Sequence, residues 1–236
     1  MKRGAATPQA LFADRDDAGG ELAARVARWF QARPERDAPV VLALPRGGAP
    51  IGLAIARALR APLGLALVRK LGAPGWPELA IGAVVDGDPP TVVRNDDLIA
   101  RLDVSEAAIA AATRSALAEI ARRRRIWLGD RPAPTVAGRD AVVADDGAAT
   151  GATAAAALTA LRRAGPRTLI FAAPVASRDA IRRLDALADA TVTLAPLEPV
   201  SSIGERYGAF PQLSDEAVAA ALAAAPSPGP NARDRR

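Results

Sequence analysis

Short aliphatic and β-branched runs alternate along the chain with longer, alanine-rich stretches of helical period. Residues 40–44, 63–68, 141–144, 168–172 and 191–194 are short runs rich in aliphatic and β-branched residues and read as strands, with 40–44 apolar throughout as in a strand buried on both faces. Between them, 18–32, 50–60, 153–164 and 179–188 read as helices. A further helical pair, 97–102 and 105–127, interrupts the alternation, and Asp103 with Glu106 resembles a capping box at the start of its second member. Residues 81–85 and 91–93 flank Gly87-Asp88-Pro89-Pro90 and read as a hairpin. Strands alternating with helices predict an α/β fold: a central parallel sheet with helices on both faces and a ligand site at the carboxyl edge of its strands.

Two strand-to-helix junctions carry chemistry at that edge. In Val142-Val143-Ala144-Asp145-Asp146-Gly147-Ala148-Ala149-Thr150-Gly151-Ala152-Thr153, a strand runs into two carboxylates, then a small-residue loop, then a helix. Gly147 and Gly151 let the backbone turn and approach a ligand, and Thr150 and Thr153 add hydroxyls beside helix N-terminal amides, which describes an anion pocket. A nucleotide P-loop needs Lys before its terminal Ser/Thr, and Ala152 stands there instead. Two acids beside an anion cradle repel the ligand unless they meet neutral hydroxyls or a divalent cation. A sugar phosphate with vicinal hydroxyls satisfies both demands. The plainer reading is a strand-to-helix turn with Asp as helix cap. The second junction, Pro45-Arg46-Gly47-Gly48-Ala49-Pro50, repeats the strand, glycine pair and helix.

A third segment, Val68-Arg69-Lys70-Leu71-Gly72-Ala73-Pro74-Gly75-Trp76-Pro77, reads as the end of a strand followed by a mobile Gly/Pro loop. Lys70 is conspicuous because Lys2 is the one other lysine in the chain. A compact ammonium suits a departing polyanion, whereas a solvated basic pair with Arg69 is the alternative.

These residues resemble the 5-phosphoribosyl-1-pyrophosphate (PRPP) motif of type I phosphoribosyltransferases. The resemblance implies that Asp145 and Asp146 bind the ribose hydroxyls and that Gly147, Ala148, Ala149, Thr150, Gly151, Ala152 and Thr153 hold the 5-phosphate. It further implies that Arg46, Gly47 and Gly48 face the pyrophosphate, with Arg46 and Lys70 as catalytic candidates. Mg2+ is the implied cofactor, met by Asp145 and Asp146 indirectly through ribose hydroxyls or water. The chain is similar in particular to a group of bacterial phosphoribosyltransferase-like proteins of unassigned function. Phe12, Asp14 and Arg15, then Pro45 to Gly48, Arg69 to Pro74, Asp145 to Thr153, Tyr207, Phe210 and Ser214 to Glu216 carry that likeness. Ala148, Ala154 and Arg206 depart from it and leave the acceptor pocket's shape open.

The resemblance implies one domain over 1–225, with 195–225 as a small C-terminal hood that recognises the acceptor. Glu198, Pro199, Val200 and Tyr207 are the acceptor candidates, although Tyr207 and Phe210 serve equally as anchors in an aromatic-poor chain. The tail 226–236 reads as disordered. Partners are therefore PRPP and an unidentified small-molecule acceptor, with a homodimer left open because dimers are common in the family. A regulatory protein that senses PRPP without turnover is the competing reading.

Composition removes other classes. The chain has no Cys and no His, so disulfides, thiolate or imidazole metal sites and a Ser-His-Asp triad are excluded. The absence of Cys fits a reducing compartment, and with no signal peptide or membrane-length apolar run a cytoplasmic location is expected. The net charge of +5 raises an RNA-binding reading. Much of the excess lies in Arg122-Arg123-Arg124-Arg125 and the terminal arginines, and four consecutive arginines wind around every helix face. A solvated helix end is expected there, and no nucleic-acid partner.

Overall fold

The computed structural model describes residues 10–33, 39–87, 89–198 and 201–226. The elements are α1 (Arg15–Gln31), β1 (Val40–Ala43), α2 (Gly48–Leu59), β2 (Leu63–Leu65), β3 (Val68–Ala73), β4 (Trp76–Val85), β5 (Thr91–Arg94), α3 (Asp96–Arg101), α4 (Glu106–Trp127), β6 (Asp140–Ala144), α5 (Ala152–Arg163), β7 (Thr168–Ser177), α6 (Arg178–Asp185) and β8 (Ala190–Leu197), followed by a 3-10 turn (Ile203–Arg206) and α7 (Asp215–Ala223). The central sheet is parallel, with strand order β2-β1-β6-β7-β8. It is the doubly covered α/β sheet that the alternation predicts.

Strand periodicity assigns the two faces. Val41, Val142 and Ile170 point to one side, where they meet Leu22 and Val26 of α1 and Ile51 and Ile55 of α2. Val40, Leu42, Val143, Leu169 and Phe171 point to the other, against Ala157 and Leu158 of α5 and Leu184 of α6. Each large aliphatic side chain buried this way contributes about 1.5–3 kcal/mol.

A second sheet, β3-β4-β5, is antiparallel. It packs on the outer face of α5, where Ala156 and Ala160 meet Ala83 and Val85. The alanine content of α5 thus has a packing reason: the helix is sandwiched between two sheets, and small side chains let both approach.

The structure corrects three expectations. The run 63–68 is not one strand: β2 ends at Leu65 and β3 begins at Val68. The segment after Val68 is not a free loop either, because β3 pairs with β4 (Lys70 opposite Ala83) around a turn at Pro74 and Gly75. Backbone pairing satisfies its amides despite the glycines and prolines, and a register shift at Gly72 absorbs the irregularity. At α4, Ser105 rather than Asp103 is the cap, its Oγ accepting from Ala108 N at 3.3 Å, while Asp103 turns the chain at φ 48°. The hairpin β4-β5 forms as predicted, with Val85 opposite Thr91.

Candidate functional site

The two predicted junctions meet at the carboxyl edge of adjacent strands β1 and β6. Leu44 N donates to Ala144 O at 2.8 Å and Gly48 N to Leu44 O at 2.9 Å, so the chain after β1 folds back over the end of β6. The approach is close enough to require glycine. A Cβ on Gly47 would lie 1.9 Å from Asp146 Oδ2, displacing the carboxylate. The Pro45-Arg46 peptide in this loop is cis.

Asp145 and Asp146 are both half-buried. Asp145 Oδ1 accepts from Asp146 N at 2.9 Å. Burial, and then the neighbouring Asp146 charge, push the Asp145 carboxyl well above the usual carboxylate range. Asp146 is held from the opposite side: Arg15 Nε donates to its Oδ2 at 2.8 Å, with side-chain exposures of 10% and 13%. The same guanidinium donates from Nη1 to Pro211 O at 2.8 Å and lies 3.6 Å over the Phe210 ring.

The 147–153 loop is pinned on both flanks. Ala148 N donates to Val175 O and Ser177 N to Ala148 O, each at 2.9 Å, and Ser177 Oγ donates to Ala149 O at 2.6 Å. Ile203 packs on Gly147 from the 3-10 turn. Gly151 caps α5 in the left-handed region at φ 67°, with no side-chain cap. First-turn helix amides lack partners within the helix and carry the positive end of its dipole, so this end suits an anion. Thr150 and Thr153 are exposed beside it, and Thr150 Oγ1 accepts from Ala152 N at 3.3 Å.

Arg46 and Lys70 diverge. The Arg46 backbone lies in the β1 loop, but its guanidinium turns toward α7, donating to Leu213 O at 2.8 Å and pairing with Asp215 Oδ1 at 3.2 Å. Asp215 Oδ1 also accepts from Trp127 Nε1 at 2.8 Å. Lys70 lines a chamber of about 980 Å³ between the β3-β4 hairpin and α4, with Pro45 and Thr153 at its inner wall. It therefore lies on a hairpin strand that faces both loops.

Among the acceptor candidates, Glu198 lines a cleft of about 570 Å³ with Thr150, Ser177 and Arg178. Tyr207 is an anchor: it is 5% exposed, stacks on Phe210 at 4.8 Å and donates from Oη to Asp146 O at 2.6 Å. Burial and the nearby Asp146 raise its pKa. Pro199, Val200 and all but the first residue of the tail 226–236 lie outside the described residues.

Asp145 and Asp146 fit Mg2+ in one respect: they are hard oxygen ligands, and their buried adjacency is relieved by a cation. Among the described residues no three potential metal ligands converge, so the remaining coordination would come from substrate and water, as Mg2+ tolerates.

The matching family model is described as the phosphoribosyl transferase domain and covers residues 17–202, the stretch that holds both loops. The chain belongs to the phosphoribosyl transferase domain family. A Mycobacterium tuberculosis protein named as a candidate phosphoribosyl transferase is 41% identical over 212 residues, covering 90% of this chain and 46% of that protein. This member thus spans less than half the length of the curated relatives it matches. The crystal structure of the Thermus thermophilus protein TT1426 superposes with a TM-score of 0.73 at 39% identity, over 89% of this chain and 97% of that one.

The sequence sets Arg15 within a motif but assigns it no role. A signal is present, since Arg15 directly follows the Asp14 cap of α1 and stands three residues after Phe12, whose ring meets Tyr207 at 5.7 Å. Asp215 likewise stands in the Ser214 to Glu216 motif directly after a helix cap but without a role, whereas Trp127 carries no signal, because its bond to Asp215, and that of Asp215 to Arg46, depend on the docking of α7.

Proposed function

We propose that this chain transfers the 5-phosphoribosyl group from Mg2+-bound PRPP to a small-molecule acceptor in the cytoplasm, releasing pyrophosphate. One observation carries the reading: the adjacent Asp145 and Asp146 carboxylates lie at the sheet edge between a glycine-capped helix N-terminus and the Gly47-Gly48 loop. That order matches a ligand with an anion at each end and hydroxyls in the middle. In this reading the α5 amides hold the 5-phosphate, Asp145 and Asp146 accept hydrogen bonds from the ribose hydroxyls, and the 46–48 backbone faces the pyrophosphate. The bond from C1 to the pyrophosphate oxygen breaks with its electron pair on the leaving group, and the acceptor's lone pair forms the new bond to C1 as the acceptor loses a proton. The chain's contribution is to fix both phosphates and to place positive charge where the leaving group gains negative charge. Lys70, on the hairpin facing both loops, is the residue for the second task. Glu198 and the 195–225 hood are the proposed acceptor side.

Binding of PRPP without turnover is favoured by one observation, the engagement of Arg46 with Leu213 and Asp215 rather than with the loop's mouth. Thermal shift with PRPP, with and without Mg2+, tests the shared binding step: stabilisation that needs Mg2+ is expected, and no shift in either condition refutes both readings. Pyrophosphate release across an acceptor panel then separates them.

A further inference from the structure

We propose that Arg15 is a positioning residue for the ribose site, acting through Asp146 and joining that carboxylate to the hood. The inference rests on the PRPP reading above.

The geometry leaves Arg15 little other purpose. A 10%-exposed guanidinium is costly unless its donors are satisfied, and here three partners share it. Nε meets Asp146 Oδ2, Nη1 meets Pro211 O, and the face stacks on Phe210. Anchored at Pro211 O and against Phe210, the planar guanidinium presents Nε to Asp146 from one fixed direction. With Oδ2 held by Arg15 and Gly47 packed against the same carboxylate, Asp146 has one defined orientation beside Asp145. The backbone on which it stands is fixed too, because Tyr207 Oη donates to Asp146 O at 2.6 Å. Tyr207 stacks on Phe210 and meets Phe12 at a 45° tilt, joining the three rings in one aromatic cluster. An acid beside another acid would swing toward solvent if unrestrained. Arg15 supplies the opposing charge that keeps Asp146 turned inward, so the ligand's hydroxyls meet an acceptor already in place.

The test compares Arg15→Gln and Arg15→Lys with the unaltered chain by calorimetric titration of Mg2+-PRPP and, separately, of inorganic phosphate, well below each variant's melting temperature. Losing one charge-assisted contact corresponds to about tenfold weaker PRPP binding for Arg15→Gln, while inorganic phosphate, held by the α5 amides, binds within about twofold. Arg15→Lys, which keeps the charge without the planar fork, recovers part of the loss and is the variant read if Arg15→Gln does not fold. In an Asp146→Asn background, Arg15→Gln adds less than about twofold, because the two act as a unit. Multiplying effects of the two substitutions, undiminished PRPP binding in Arg15→Gln, or equal loss of PRPP and phosphate each overturns the proposal. Failure of the unaltered chain to bind PRPP refutes instead the reading of the site on which the proposal rests.

Discussion

The carboxyl edge of the parallel sheet and the flank built from β3-β4-β5 and α4 use the same charged residues in opposite ways. On the flank, opposite charges pair at the surface: Arg94 meets Glu106 at 2.7 Å, and the half-buried Glu119 takes Arg122 at 2.8 Å and Arg123 at 2.7 Å. Arg124 reaches Asp86 at 3.1 Å. The Arg122-Arg125 run is thus partly tied down by its own helix and by the neighbouring hairpin. At the edge, two like charges stand side by side and half-buried, and one opposite charge restrains only one of them. Flank pairs form because water permits them. The edge carboxylates persist because Arg15 and the close approach of Gly47 hold Asp146 beside Asp145, and such stored cost is characteristic of a binding site.

The largest effect is expected where the comparison is cut at the edge. Asp145→Asn combined with Asp146→Asn removes two charged acceptors, each worth roughly 1.5–3 kcal/mol in a charge-assisted hydrogen bond. PRPP affinity should fall by about a thousandfold, with inorganic phosphate binding changed by less than about threefold. Titration of both ligands checks it. Parallel loss of both affinities would mean that the 147–153 loop had collapsed and that the carboxylates have no separate ribose role.

Lys70 links the two regions, since it belongs to the flank's hairpin but lines the chamber that opens on the loops. A charge that meets pyrophosphate chiefly in the transition state lowers turnover when removed, not affinity. Lys70→Ala should lose on the order of a hundredfold in kcat while binding PRPP within a few-fold. Steady-state kinetics with an identified acceptor decide it, and unchanged kcat would return Lys70 to the flank as a solvated cation.

The same contrast explains what is legible in the chain. The edge is written locally: Asp145 to Thr153 and Pro45 to Gly48 are contiguous, and their glycines and acids declare backbone geometry and charge without reference to distant residues. Both loops fall where strand-helix alternation puts them. Residues that act across the sequence are harder to read. Arg15 meets Asp146 across 131 positions, and Arg46 meets Leu213 across 167. No periodicity encodes such pairs. The hairpin strand β3 reads as a loop because Gly72, Pro74, Gly75 and Pro77 are turn formers, while the pairing that overrides them is supplied by β4. Asp103 resembles a cap by spacing alone, and Ser105 wins because its extended backbone, at ψ 147°, points the hydroxyl at Ala108 N.

A smaller effect, opposite in sign for the two regions, concerns stability against pH. Asp145 has a raised folded-state pKa, so its contribution is present below the unfolded value and lost as pH rises through the folded one. Once ionised, the Asp145 carboxyl is a cost, and Asp145→Asn alone should raise the melting temperature of the ligand-free protein by about 2–4 °C for each kcal/mol relieved. Glu119 behaves the other way. Hydrogen bonds from Arg122 and then Arg123 lower its pKa from 4.5 to about 2, so its contribution is present above 4.5 and lost as pH falls toward about 2. Glu119→Gln should flatten the acid limb of the melting profile and lower the neutral plateau only slightly, because solvent screens these pairs. A lower melting temperature for Asp145→Asn at neutral pH would contradict the claim that the edge carries the cost.

The smallest effect is predicted for the flank's best-formed contact. Arg94 donates from Nη2 and Nη1 to Glu106 at 2.7 and 3.0 Å and from Nε to Asp96 at 3.0 Å, a geometry that by distance alone rivals Arg15 and Asp146. The hydrogen bond from Arg94 lowers the Glu106 pKa, yet the Glu106 side chain is 74% exposed. Water solvates both charges when they separate, salt screens them when they meet, and ordering two long side chains costs entropy, so exposed pairs contribute little. Glu106→Gln should therefore leave the melting temperature at neutral pH and low salt within experimental scatter, whereas Arg15→Gln should lower it measurably through loss of a buried partner. Differential scanning of the two variants side by side sets a buried guanidinium with three partners against an exposed carboxylate with one, at nearly equal ion-pair distances. Comparable destabilisation by both would show that geometry, not desolvation, ranks the ion pairs of this fold.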